Sequence, residues 1–375
     1  MSESRPRRLR GFGILAAAFL SLCSGAGSAE EGATPAATRS WRMGFSASPP
    51  RPDVATELRG IDLLSARAEL VIVQDELPWT DLLAGTAPDV IIDQRYAQLV
   101  AYFRSNGLEL VYVFDLDNGL ARGSEAPQLA ALGRSIVEPA VQQAYRNWVS
   151  AVVRRLAPDY VGLAAETNLI RVAGTPSHYA AVVQCANDAA RDLRASGVTT
   201  PLFVSVQIET AWGLFTKSPF PGIDTDFADF PFLQMIGYSS YPYFFYADPD
   251  DLPADYYTRV LSGRPLPVMV VEGGWSSASV GGIVSSPEKQ ARYIARHAEL
   301  LDSVHAIGLI QLLFADIDLS SVPPADAAPL APFASIGVTD SDFNPKPALA
   351  AWDALFARRL RTSNFRREPR SVAFR

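Results

Sequence analysis

From Trp41 onward the chain keeps one rhythm that leaves it few folds. Apolar runs of four to eight residues recur at 42–47, 70–74, 108–114, 160–165, 202–207, 234–239, 268–271 and 307–314. Longer stretches with apolar residues at three- and four-residue steps separate them. Short runs without strict alternation read as strands buried on both faces, and the segments between them read as crossover helices. One helical face is Val141, Tyr145, Trp148, Val149, Val152, Val153 and Leu156, which stops before Pro158. A second helix is expected over 179–194 with Ser177 as its N-cap, and a third starts near Pro287. Eight strand–helix units over roughly 310 residues predict a (β/α)8 TIM barrel. The competing open doubly wound sheet carries a glycine-rich first turn, and Met43-Gly-Phe-Ser-Ala-Ser-Pro-Pro is not one.

The ends of the chain differ from this body. Arg5, Arg7, Arg8 and Arg10 precede an apolar run over 11–22 and small residues over 24–29, the pattern of a cleaved export signal over 1–29. The run is too short to span a bilayer. The expectation is therefore a secreted or periplasmic protein with no transmembrane segment in the mature chain. Lipid anchoring at Cys23 is disfavoured by the bulky Leu22 before it. Residues 30–40 read as a linker, 41–357 as the barrel, and 358–375 as a basic tail without apolar periodicity, expected to be disordered. The chain is −7 overall although both ends are positive, so the body is strongly acidic. That argues against nucleic acid as a partner, because phosphate backbones are held by Lys and Arg. Cys185 stands alone once Cys23 is removed, so no disulfide is expected within the mature chain. His178, His297 and His305 lack zinc-ligand spacing, and neither a metal nor a cofactor is expected.

Two glutamates stand out against the strand pattern. Glu166 ends Asp159-Tyr-Val-Gly-Leu-Ala-Ala-Glu166, and Glu272 ends Pro267-Val-Met-Val-Val-Glu272. Residues at the C-terminal tips of barrel strands face the active-site mouth. Two carboxylates there are the parts that glycoside hydrolysis requires, one to protonate the leaving oxygen and one to attack the anomeric carbon. Trp79, Trp212, Tyr241, Tyr243, Phe244 and Trp275 fall at or just beyond strand ends, where flat rings can cover the apolar faces of sugars. Asp115, Asn168 and Gln207 fall there too and offer polar groups to sugar hydroxyls.

Three segments, Gly162-Leu-Ala-Ala-Glu166-Thr-Asn168, Ser240-Tyr-Pro-Tyr-Phe244 and Val271-Glu272-Gly-Gly-Trp275, resemble the clan A (β/α)8 glycoside hydrolases, and most of all the family 53 endo-β-1,4-galactanases. The ending from Gly337 to Trp352 is similar to the close of many such barrels. The resemblance implies a retaining double displacement on a carbohydrate substrate. Glu272 would be the nucleophile and Glu166 the acid/base, with carboxyls about 5–5.5 Å apart. Tyr241 would donate to Glu272. Asn168, Gln207, Trp79, Asp115, Tyr241 and Trp275 are the substrate-binding candidates. One position departs from the clan pattern. Ala165 stands where these enzymes place an asparagine for the sugar 2-hydroxyl, and its side chain donates no hydrogen bond. That departure keeps open an alternative, a non-catalytic carbohydrate-binding or envelope protein on a degenerate barrel.

Overall fold

The computed structural model describes residues 38–361. The export signal and most of the expected linker and basic tail lie outside them. Within them runs a ring of parallel strands: β1 (Arg42–Ser46), β2 (Leu70–Glu76), β3 (Glu109–Asp115), β4 (Tyr160–Gly162), β5 (Leu202–Phe203), β6 (Ser205–Gln207), β7 (Ile236–Ser240), β8 (Val268–Gly273) and β9 (Ala306–Gln311). Their order is β5-β4-β3-β2-β1-β9-β8-β7-β6. The two terminal strands of that order are consecutive in sequence and separated only by Val204. They are halves of one strand, and β5 pairs with β4 while β6 pairs with β7. The nine segments therefore occupy eight positions of a nearly closed (β/α)8 barrel.

Each strand of the ring sits close to an expected apolar run. The helix over Pro139–Leu156 buries all seven residues of its expected face, and it ends at Ala157, whose backbone turns left-handed (φ 44°). The helix Pro287–Asp302 starts at its proline, capped by Ser286. The Pro176–Ala195 helix corrects one expectation. Its N-cap is Thr175, whose hydroxyl accepts from the His178 amide, and Ser177 lies inside the first turn. Pro176 takes the first helical position, where its missing N–H leaves nothing unsatisfied.

Two apolar layers hold the barrel. The larger lies between strands and helices. The smaller fills the barrel interior with Leu70, Ile72, Val111, Val113, Phe203 and Met269 among others. Phe203 sets the fit inside. A methyl group on Gly162 or Gly237 would come within about 3.0 Å of its ring. Strands β4 and β7 therefore need glycine for the ring to lie between them, the small-against-large packing of a filled interior.

The domain ends also differ from expectation by a few residues. Thr38–Arg39 pairs in parallel with Arg359–Leu360. The Arg39 guanidinium is buried and engages Glu69 at the start of β2. The barrel unit thus takes in the last residues of the expected linker and the first of the expected tail. No helix among the described residues is long and apolar enough to cross a membrane.

Candidate active site

Glu166 and Glu272 meet at the C-terminal mouth of the barrel, and local backbone irregularities aim both. Glu166 lies just past β4 in a left-handed conformation (φ 48°, ψ 45°) and caps the helix Thr167–Ala173. A non-glycine residue held there costs on the order of 1 kcal/mol, so the surroundings must impose it. They do so through its amide, which donates to the Ser205 hydroxyl at 2.9 Å. Glu272 is aimed by a β-bulge. The β7–β8 register passes from Tyr238↔Val270 to Ser239↔Glu272, leaving Val271 unpaired. Met269 and Val271 both point into the barrel interior. The bulge brings the next side chain toward the mouth, as bulges beside active sites do.

The two carboxylates have different partners. Glu272 accepts from the Tyr241 hydroxyl at 2.7 Å and from Gln74 Nε2 at 2.9 Å. Glu166 accepts from Ser239 Oγ at 2.7 Å and from Arg122 Nε at 2.7 Å. The Arg122 guanidinium also reaches Asp115 and is itself buried. Desolvation, followed by the nearby charge of Glu166, pushes the Glu272 carboxyl up to about 7, against the pull of Arg122, Tyr241 and Gln74. Below that pH Glu272 holds a proton, while Glu166 makes a charge-assisted bond to Arg122.

A third carboxyl stands directly behind them. Glu209 is fully buried. Its Oε1 accepts from Tyr256 OH (2.7 Å), the Tyr241 amide (2.9 Å) and Ser240 Oγ (3.2 Å), and Gln207 Nε2 donates to its other oxygen. Burial raises it to about 7. It ties down the Ser240–Tyr241 backbone that presents the Tyr241 hydroxyl to Glu272.

The remaining expected residues separate clearly. Tyr241 joins the glutamates directly, and Asp115 joins through Arg122. Asn168 is committed to the fold: its amide donates to Gln207 O at 2.8 Å and accepts from Gln207 N at 2.7 Å, tying the Thr167–Ala173 helix to the end of β6. The Gln207 side chain is occupied by Glu209 and by the Thr210 amide. Trp79 has no exposed surface. Trp275 is also buried, packed between Tyr243 and Tyr293, with its indole donating to Ser285 Oγ at 2.9 Å. As placed, neither tryptophan presents a face to a sugar. Ala165 points into the apolar barrel interior beside Val113 and Val271, where an asparagine amide would lie among apolar groups. The exposed aromatic pair on this rim is Phe215 and Phe245, edge to face with centroids 4.7 Å apart. Arg122 and Ser239 were not singled out from the sequence. Arg122 has no periodic signal within its loop, and Ser239 is one small residue in a buried run.

No family model matches the chain, and no curated protein matches it in sequence. Solved structures do resemble it. An exo-β-1,4-mannosidase from Opitutaceae bacterium strain TAV5 superposes with a TM-score of 0.64 at 14% identity, over 85% of this chain and 59% of the mannosidase. The chain thus spans less than two thirds of that protein. A Bifidobacterium longum glycoside hydrolase of family 5, crystallised with Manβ1-4GlcNAc, gives 0.58 at 13% identity over 86% and 80%. Xylanase 10B from Thermotoga petrophila gives 0.51 at 14% identity over 84% and 94%. What these structures share with the chain is the fold, a (β/α)8 barrel. Nothing in these likenesses singles out the galactanases of family 53. Among the described residues, no group of three or more His, Cys, Asp or Glu side chains is placed to hold a metal ion.

Proposed function

We propose that this protein is a retaining glycoside hydrolase that cleaves O-glycosidic bonds in a poly- or oligosaccharide, exported from the cell by its N-terminal signal. The observation that carries the reading is the pair Glu166 and Glu272 at one barrel mouth, with Tyr241 donating to Glu272. Glu272, steadied by Tyr241 and Gln74, attacks the anomeric carbon. Glu166 protonates the departing oxygen and then deprotonates the water that releases the sugar.

The resting arrangement sets a condition on that chemistry. Glu272 must lose its proton and Glu166 must gain one before the first step. Arg122 opposes this, because its guanidinium favours a carboxylate at Glu166. Turnover therefore requires Arg122 to draw back, by displacement or loop movement, as substrate enters. The second reading, a carbohydrate-binding barrel without turnover, draws on two observations. Arg122 engages Glu166, and Ala165 leaves the 2-hydroxyl without a donor from that position.

One experiment separates the two. The purified protein is screened against plant and microbial polysaccharides by release of reducing ends, with Glu272→Gln as control. Hydrolysis by the wild type that the variant lacks supports the enzyme. Equal binding of oligosaccharides by both proteins, with hydrolysis by neither, supports the binding protein.

A further inference from the structure

Arg122 is carried by a loop whose construction goes beyond what a connection from β3 needs. An antiparallel bridge between Asp117 and Glu125 closes it. Inside, Asn118 Oδ1 accepts from the amides of Leu120 and Ala121, and Asp117 Oδ2 accepts from the Gly123 amide at 2.6 Å. The tip at Gly119, Leu120 and Ala121 is exposed, with Leu120 51% accessible, whereas Asp117 and Arg122 are buried. The loop is thus a preformed unit with an exposed tip.

It is fastened at three points. Arg122 reaches Glu166 and Asp115. Gly123, at φ +86°, lies so close to the end of the Thr167–Ala173 helix that a β-carbon there would sit 2.3 Å from Gly174 N. That is the helix capped by Glu166. The third point is His178 in the next helix. Its Nε2 lies 3.1 Å from Asp117 Oδ1 and its Nδ1 lies 3.5 Å from Glu125 Oε1. The two carboxylates address opposite ring nitrogens, the arrangement that suits a doubly protonated imidazole, whose two N–H groups each find an acceptor.

We propose that segment 117–125 is a latch, closed by His178 between Asp117 and Glu125, which holds Arg122 on Glu166. The proposal rests on the glycosidase reading only for its consequence; the latch itself stands on the cluster. His178 bonds to neither Glu166 nor Glu272, so it is a positioning residue. Asp117 and Glu125 are the charged groups that act on its ring. Thr175 caps its backbone, and Glu125 is held in turn by the Ser135 hydroxyl and the Ile136 amide. The hydrogen bond to Asp117 and then the charges of both carboxylates raise His178 above its ordinary value, against burial. The sign follows. The raised value means that the closed latch prefers the charged ring, so its hold is fully present below the ordinary histidine pKa. The hold is lost as pH rises through the elevated value. Opening lifts Arg122 from Glu166 and removes the group that opposes its protonation.

The test reads the latch without any substrate. Hydrogen exchange of the amides in 117–125 is followed from pH 6 to pH 9 in wild type and His178→Gln, corrected for the intrinsic pH dependence of exchange, and His178 is titrated by NMR. In wild type, protection should fall as His178 deprotonates. In His178→Gln the same amides should exchange roughly ten- to hundredfold faster at pH 6, the loss of one charge-assisted hydrogen bond, with no further pH step. Asp117→Asn should lower the His178 titration while leaving the ring in place. A His178 that titrates at or below its ordinary value, or protection that is equal in both proteins at every pH, overturns the latch. Protection that follows His178 supports it whether or not any glycoside is hydrolysed, and hydrolysis is decided by the polysaccharide screen.

Discussion

Replacing Glu272 with glutamine should stabilise the protein, and only above a particular pH. Glu272 titrates at about 7 in the folded chain, against an ordinary glutamate near 4.5. Between those values the folded state keeps a proton that the unfolded state has released. Wild-type stability therefore falls as pH rises through that window. At about 1.4 kcal/mol per pH unit, ionising Glu272 in place is worth up to about 3 kcal/mol by pH 8. Glutamine is isosteric with the protonated acid and has nothing to ionise. Its carbonyl accepts from Tyr241, and its amide meets Gln74, whose Oε1 has no partner among the described residues and can turn to receive it. Glu209, also near 7, contributes its own pH slope to both proteins and cancels in the difference. Urea denaturation of both proteins at pH 4.5, 6 and 8 should give nearly equal stabilities at the first pH. The variant should lead by about 3 kcal/mol at the last, the usual trade of stability for function at a strained site. A difference that is flat with pH, or a wild type that is more stable at pH 8, would refute the reasoning.

Other substitutions test other joints of the site. Tyr241→Phe removes the donor to Glu272 and forfeits about 1.5–3 kcal/mol of support for its ionised form. The acid limb of the kcat/KM profile should move up by roughly one to two pH units, with little change in thermal unfolding. Glu166→Gln should slow poor leaving groups far more than activated aryl glycosides, because good leaving groups need little protonation; azide should restore part of the lost second step, read by product analysis. Lys346→Met leaves Asp316 without the ammonium that bonds both its oxygens. The expected loss is about 3 kcal/mol at pH 8. It should be smaller at pH 5, below the value of about 6 to which burial raises Asp316, and thermal unfolding at the two pH values reads it.

The barrel was legible because its signal is periodic and repeated. Eight apolar runs each marked a strand position, and boundary shifts of up to three residues did not disturb the count. The break at Val204 was invisible, because Leu202 to Val206 reads as one run whether or not the backbone stays regular through it. Glu166 and Glu272 were visible because a carboxylate that ends an apolar strand has few places to go except the mouth. What aims them was not. The bulge at Val271 is a matter of pairing between strands, and the left-handed turn at Glu166 is imposed by Ser205, far away in sequence. Tryptophans at strand ends read the same whether they face a cleft or the core, and Trp79 and Trp275 are in the core. Arg122 acts at a distance in sequence from a loop without pattern, so only the assembled structure brings it to Glu166. Ala165 was legible as a departure, and its place in the barrel interior gives the departure a physical setting.

The central claim is that Glu272 forms a bond to the sugar. Activated 2-deoxy-2-fluoro glycosides of several sugars slow the release step enough for a glycosyl-enzyme to accumulate. Each is incubated with the wild type, and the protein is examined by intact mass and peptide mapping. The account predicts a single added glycosyl group on Glu272 for the sugar that the protein cleaves, absent from Glu272→Gln. Hydrolysis of that sugar by the wild type with no adduct on Glu272, or with activity retained in Glu272→Gln, would contradict it.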